Sequence, residues 1–168
     1  MGEGSVATAH LSRPVGRAQL SAIYSCAQLA KSYGVPVIAD GGLKNTGCLI
    51  KALTIGASCV MISSLLAGVD ESPGEYFYQS GTRLKNSESR NQASAVSGAV
   101  VDRGPLSKYF PYLCQSIRHG LQDMGTKSLI TLHEELYSGG LRFELRSPSA
   151  QREGGIHDLH SFSQRLYA

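Results

Sequence analysis

Five residues in this chain have the types and spacing that chemistry uses: Asp40-Gly41-Gly42, and the serine pair Ser63-Ser64 about twenty positions later. Two glycines remove side chains and let backbone N–H groups approach an anion, and serine hydroxyls can add donors. A nearby helix N-terminus would contribute partial positive charge. The plainer reading is a tight turn followed by N-capping serines, and these residues alone leave the two open.

The elements around them say where they sit. From Arg17 to Tyr33 the apolar positions Leu20, Ile23, Tyr24, Ala27 and Ala30 recur at three and four, which predicts a helix over 17–33 closed by Gly34. "VPVIA" (35–39) is short and apolar on both faces, as a parallel strand covered by helices would be. Helical spacing resumes over 43–56, again ending in glycine, and "SCVMI" (58–62) predicts a second buried strand. Alternating helix and strand demands parallel pairing and right-handed crossovers. In such folds ligands collect at the carboxyl ends of strands, the edge where Asp40, Gly41, Gly42, Ser63 and Ser64 fall.

Beyond Leu66 the pattern changes. Residues 74–85 predict a hairpin turning at Gly81, and 86–95 are polar and aperiodic. Residues 106–125 predict a long helix with a kink at Pro111, and "KSLITLHEEL" (127–136) a shorter one. The tail from 146 carries little periodicity. His119, His133, His157 and His160 are spaced unlike a metal site, which favours surface or hydrogen-bonded roles.

The bulk numbers exclude several function classes. The chain's 168 residues suffice for one domain with a core, and 42% hydrophobic with 17% charged residues fit a folded chain. A net charge of +3, with basic residues scattered among acids, argues against a nucleic-acid binder but permits one anionic ligand. The four cysteines, Cys26, Cys48, Cys59 and Cys114, lie far apart without CxxC pairing and read as reduced packing residues of a reducing compartment. No apolar run approaches the roughly 18 residues of a membrane span and no signal peptide opens the chain, so the expected location is cytoplasmic.

Several stretches together resemble the C-terminal part of inosine-5′-monophosphate (IMP) dehydrogenase. They are "GVPVIADGG" (34–42), "GASCVMISSLLAGVDESPGEYF" (56–77), "VSGAVVDRG" (96–104), "YLCQSIRHGLQDMGTKSL" (112–129) and "SAQREGGIHDLHSFSQRL" (149–166). The related GMP reductase shares the first segments and resembles the second half less. The resemblance runs from Gly2 to Leu166 and implies one catalytic-domain portion over 1–168 without a regulatory module. The implied fold is α/β, a partial TIM (β/α)8 barrel of about its last two βα units plus C-terminal helices and tail.

Members of this family form tetramers and oxidise IMP to XMP with NAD, so the resemblance implies a purine nucleotide (IMP, XMP or GMP) as ligand and a homo-oligomer or family tetramer as assembly. Ser5 resembles the loop serine that contacts the nucleotide phosphate, and Asp40 the carboxylate that holds the ribose hydroxyls. Gly41 and Gly42 resemble the phosphate-facing turn. Ser63 and Ser64 fall on the second phosphate turn, where the family has Gly-Ser. Gly2, Gly4 and Ala7 resemble carbonyl donors to a potassium ion, and Glu153, Gly154 and Gly155 the neighbouring subunit's share of that site.

The departures from the family pattern concern catalysis. The family loop reads Gly-Ser-(Ile/Val)-Cys-x-Thr, its cysteine being the nucleophile; here "GSVATA" (4–9) places Ala7 in the cysteine's position and Ala9 in the threonine's. A thiolate can attack the purine and a methyl group cannot. The flap is shortened to "KNSESRNQASAVSGAV" (85–100), which lacks the family's Tyr-Arg-Gly-Met-Gly and its water-activating Arg-Tyr pair. Ser94 stands where the base-contacting glutamine belongs, with Gln92 out of register. The expectation is an IMP dehydrogenase-like chain with its catalysis impaired. The alternatives are a GMP reductase-like protein, or a non-catalytic relative that binds nucleotide or joins family tetramers.

Overall fold

In the computed structural model of the chain, residues 2–3, 16–88 and 97–153 are described. Strand β1 (Gly2–Glu3) pairs in parallel with β2 (Arg17–Ala18), with Glu3 opposite Ala18. Helix α1 (Gln19–Ser32) follows directly. The helix expected over 17–33 therefore loses its first two residues to β2, whose partner lies far away in sequence. Its C-terminus is a Schellman motif: Val35 N–H donates to Ala30 O at 3.0 Å and Gly34 N–H to Lys31 O at 3.2 Å. Gly34 sits at φ +64°, a conformation that suits glycine.

Strand β3 (Ile38–Asp40) and strand β4 (Cys59–Met61) pair in parallel, Ile38 with Cys59 and Asp40 with Met61. Between them runs helix α2 (Thr46–Thr54), which starts later than the spacing suggests because Asn45 caps it, its Oδ1 accepting from Cys48 N–H at 2.9 Å. Gly56 then turns the chain at φ +117°. A Cβ there would stand 2.7 Å from Tyr137 Oη and 2.8 Å from Ala27 Cβ, so glycine is needed for both conformation and space.

The main core gathers Ile23 of α1, Ala39 of β3, Leu49 and Ala52 of α2, Ile55, Ala57, Leu65 and Leu136. It covers one face of the β3–β4 pair. The expectation of strands buried on both faces needs correcting, for Ile38 and Met61 are 57% and 53% exposed. The reason is alternation: Ala39 points into the core, while Ile38, Asp40, Cys59 and Met61 share the opposite face. Cys59 is thereby exposed rather than buried in a strand, and Cys26 is exposed on α1. Packing explains neither of them, although all four cysteines are free.

After β4 comes a short 3₁₀ turn (Ser64–Leu66), then the expected hairpin of β5 (Tyr76–Gln79) and β6 (Thr82–Glu88). Ser80 (φ 51°) and Gly81 (φ 78°) link them, the positive-φ pair that a two-residue hairpin turn uses. A third antiparallel strand, β7 (Ser97–Val101), which the sequence did not announce, lies against β6 with Leu84 opposite Val101 and Glu88 opposite Ser97. Helix α3 (Leu106–Asp123) continues through Pro111, and helix α4 (Leu129–Ser138) is capped by the Ser128 hydroxyl. Helix α5 (Pro148–Glu153) occupies part of the tail read as aperiodic. A smaller core of Val69, Tyr109 and Leu113 ties α3 to the segment after Ser64.

His119 lies 2.8 Å from Gln115 Nε2, and His133 Nε2 lies 2.8 Å from Leu53 O, hydrogen-bonded roles as expected. His157 and His160 lie outside the described residues. Among the described residues no group of His, Cys, Asp or Glu is placed to hold a metal ion, and no helix is long and apolar enough to cross a membrane.

Candidate functional site

Because Asp40 is opposite Met61, the residues that follow each strand leave the sheet at the same carboxyl edge. Gly41-Gly42 depart from β3, and Ile62-Ser63-Ser64 from β4. Neighbouring strands lie about 4.8 Å apart, so the two exits are adjacent. Gly41 (φ 91°) and Gly42 (φ 69°) both adopt left-handed backbone, which a Cβ would oppose. The exposed Asp40 carboxylate stands beside this turn on the uncovered face of the sheet.

The serine turn is held from below by Leu65, 5% exposed and part of the main core. Ser63 precedes the 3₁₀ turn with φ −127° and ψ −69°, and its hydroxyl makes no capping bond. Backbone bonds close the turn instead, Leu66 N–H to Ser63 O at 2.9 Å and Ala67 N–H to Ser64 O at 3.3 Å. The capping role considered for Ser63 is thus not the one it plays.

One residue of this edge escaped the sequence reading. Gln19, the first residue of α1, donates its side-chain amide to Asp40 O at 2.9 Å and also to Gly41 O. It thereby ties the start of α1 to the glycine turn. A polar residue at a helix start carries no periodic signal, and its partners lie more than twenty positions away in sequence. Replacing it, Gln19→Leu, removes both hydrogen bonds from carbonyls that water can partly reach and should cost about 1 kcal/mol. Urea denaturation and amide exchange at Gly41 and Gly42 measure this; an unchanged midpoint with unchanged exchange would refute the tether.

The remaining expected site residues are not all in view. Gly2 lies in β1 and Glu153 ends α5. Gly4, Ser5, Ala7, Gly154 and Gly155 lie outside the described residues. At the opposite, amino end of β3 and β4 a half-open cleft of about 380 Å³ is lined by Lys31, Val35, Ser58, His133, Glu134 and Tyr137, among others. Burial raises the Tyr137 hydroxyl above the ordinary tyrosine value, with nearby Tyr24 adding to it. This cleft is at the far end of the strands from Asp40.

Residues 1–157 match the model of the IMP dehydrogenase / GMP reductase domain. The chain belongs to that family. Curated relatives include the inosine-5′-monophosphate dehydrogenase of Toxoplasma gondii, 35% identical over 243 residues that take in 100% of this chain and 44% of that protein. The enzyme of the same name from Caenorhabditis elegans is 40% identical across 99% of this chain and 36% of its own length. That of Vigna unguiculata is 42% identical across 99% and 38%. The chain thus spans well under half of these IMP dehydrogenases. Among solved structures, a cysteine-to-alanine variant of GMP reductase from Trypanosoma brucei superposes with a TM-score of 0.73 at 35% identity, covering 91% of this chain and 32% of that one. The IMP dehydrogenase / GMP reductase chain described here is α/β in architecture, with its Asp-Gly-Gly and Ser-Ser turns on one edge.

Proposed function

We propose that this chain is an IMP dehydrogenase-like protein that retains a purine 5′-monophosphate site while lacking the groups for turnover. The observation that carries this reading is the shared carboxyl edge of β3 and β4, where Asp40, Gly41, Gly42, Ser63 and Ser64 emerge side by side. In this reading the Asp40 carboxylate accepts from the ribose hydroxyls. Backbone N–H groups of Gly41 and Gly42, freed of side chains, face the phosphate, and the hydroxyls of Ser63, Ser64 and Ser5 add donors. Ser63 replaces a family glycine, so it brings a hydroxyl where the family has bare backbone.

The strand pair supports a partial barrel of about two βα units, its exposed Ile38 and Met61 on the face that a closed barrel would turn inward. That face and the strand edges left unpaired among the described residues favour association, as homo-oligomer or within a family tetramer. Carbonyls of Gly2, Gly4 and Ala7, with Glu153, Gly154 and Gly155 of a neighbouring copy, are the residues that would hold potassium. NAD, the hydride acceptor in this family, is the cofactor that the same reading implies. The purine-biosynthetic setting and a cytoplasmic location follow from the same reading. A GMP reductase-like specificity is the second reading, favoured by the Trypanosoma brucei structural match.

Calorimetry with IMP and with GMP tests the binding claim. Saturable heat at millimolar nucleotide or below is expected, weak because the base-holding flap residues are absent. No saturable heat with either nucleotide would remove the proposal, and a clear preference for GMP would move it to the second reading.

A further inference from the structure

Lys85 of β6 is buried to 1% exposure, an uncommon place for an ammonium in a hairpin. Its Nζ donates to Val69 O at 2.7 Å and to Asp70 O at 3.1 Å, and lies 4.7 Å from the centre of the Tyr76 ring. Arg83 stacks on that ring as well, its guanidinium carbon 3.8 Å from the centre, and pairs with Asp102 at 3.2 Å. Tyr76 in turn donates its hydroxyl to Asp70 Oδ1 at 2.6 Å, a bond that with desolvation and the nearby acids pushes the phenol up to about 12. The segment 68–70 is gripped from its other side too. Arg103 N–H donates to Gly68 O at 2.9 Å and Asp70 N–H to Gly104 O at 3.0 Å.

A buried ammonium costs free energy unless its donors are met, and a methionine would fill the same space without that cost. What lysine adds here is a hold on two particular carbonyls. They lie in the segment that leaves the Ser63-Ser64 turn, and the small core of Val69, Tyr109 and Leu113 packs against Ile62, just before the serines, and Leu66, two residues after them. The hairpin is therefore bonded to the exit of the serine turn by the Lys85 ammonium on two backbone carbonyls and by the Tyr76 hydroxyl on the Asp70 carboxylate.

We propose that Lys85 is a positioning residue for the phosphate turn, coupling the seating of the β5–β6 hairpin to the binding of a 5′-phosphate monoester at Ser63-Ser64. The proposal rests on the nucleotide reading above and adds a regulation to that site. With the ammonium on Val69 O and Asp70 O the turn is fixed in its binding shape; with the hairpin lifted, its exit relaxes and phosphate is held less well. Linkage makes the effect reciprocal, so bound phosphate steadies a hairpin it does not touch.

The test uses the 168-residue chain and its Lys85→Met and Tyr76→Phe variants, with hydrogen exchange and IMP calorimetry. In Lys85→Met, amides of α1 and α2 are expected to exchange as in wild type, while those of Val69 to Ser72 exchange about tenfold faster and IMP binds about tenfold more weakly. IMP should slow exchange across Tyr76 to Lys85 in the wild type, and this protection should vanish in Lys85→Met. Tyr76→Phe keeps the ammonium–carbonyl bonds and should keep both the affinity and the protection. Unchanged exchange at Val69 to Ser72, wild-type IMP affinity in Lys85→Met, or loss of protection in Tyr76→Phe alone would each overturn the proposal. So would general unfolding of Lys85→Met, which would make Lys85 a support of the whole fold. If the wild type binds no IMP, the nucleotide reading fails separately, and exchange at Val69 to Ser72 still decides whether Lys85 tethers the turn.

Discussion

Mixed with IMP, NAD and potassium, the 168-residue chain is expected to form no NADH above a no-enzyme blank, and Ala7→Cys is expected to leave that result unchanged. In the proposed reading Ala7 stands at the nucleophile's position, and a methyl group cannot form the covalent adduct from which hydride departs. Restoring a thiol supplies one part of a mechanism whose parts act together. Hydride transfer needs NAD held against the purine, and loss of such positioning costs on the order of 7–11 kcal/mol. The 168 residues span 36–44% of the length of the three IMP dehydrogenases they match, and one restored thiol supplies none of the NAD positioning. Hydrolysis of an adduct then needs an activated water, and residues 85–100 contain no Arg-Tyr pair. When parts act as a unit, one repair returns little. NADH absorbance with saturating IMP, NAD and potassium decides it. Clear turnover in Ala7→Cys would show that the nucleophile was the sole defect.

The largest structural effect is expected at Leu49. Its side chain is fully buried in α2, at the centre of the core that supports Ala39, Ala57 and Leu65. Leu49→Ala removes three buried carbons and leaves a cavity that neighbouring strands close poorly, a loss of about 2–5 kcal/mol. Domains of this kind hold only about 5–15 kcal/mol in all, so a large part of the stability goes with one side chain. The serine turn depends on the same core through Leu65, and nucleotide affinity should fall with it. Urea denaturation of the two proteins measures the change. A midpoint shift worth well under 1 kcal/mol would mean that the core is looser than its burial indicates.

What the sequence made legible follows from which forces are local. The periodicity of Ile23 and Ala27 marked α1, and Gly34 and Gly56 marked the ends of α1 and α2, because amphipathic spacing and left-handed turns are written within a few residues. Parallel pairing of β3 and β4 followed from helix–strand alternation. The β1–β2 pair was not legible, since a two-residue strand exists only through a partner some fifteen positions away. Strand β7 was hidden for a similar reason, its "SGAVV" acquiring strand character from β6. Exposure was misjudged at Ile38 and Met61 because apolar residues record what a surface could bury and not whether a neighbour covers it. At the site, Asp40 and the two glycines stood out by type. Gln19 and Lys85 did not, being polar residues whose roles come wholly from the backbone carbonyls that the fold brings to them.

The binding claim is tested most directly by an amide-resolved titration of the chain with IMP, followed by nuclear magnetic resonance. The expected result is a saturable set of shifts centred on Asp40, Gly41, Gly42, Ser63 and Ser64, lost in Asp40→Ala and weak with the unphosphorylated nucleoside. Shifts centred instead on the Lys31–Tyr137 cleft at the opposite end of the strands, or shifts of equal size with the nucleoside, would contradict a phosphate-holding edge at the carboxyl ends of β3 and β4.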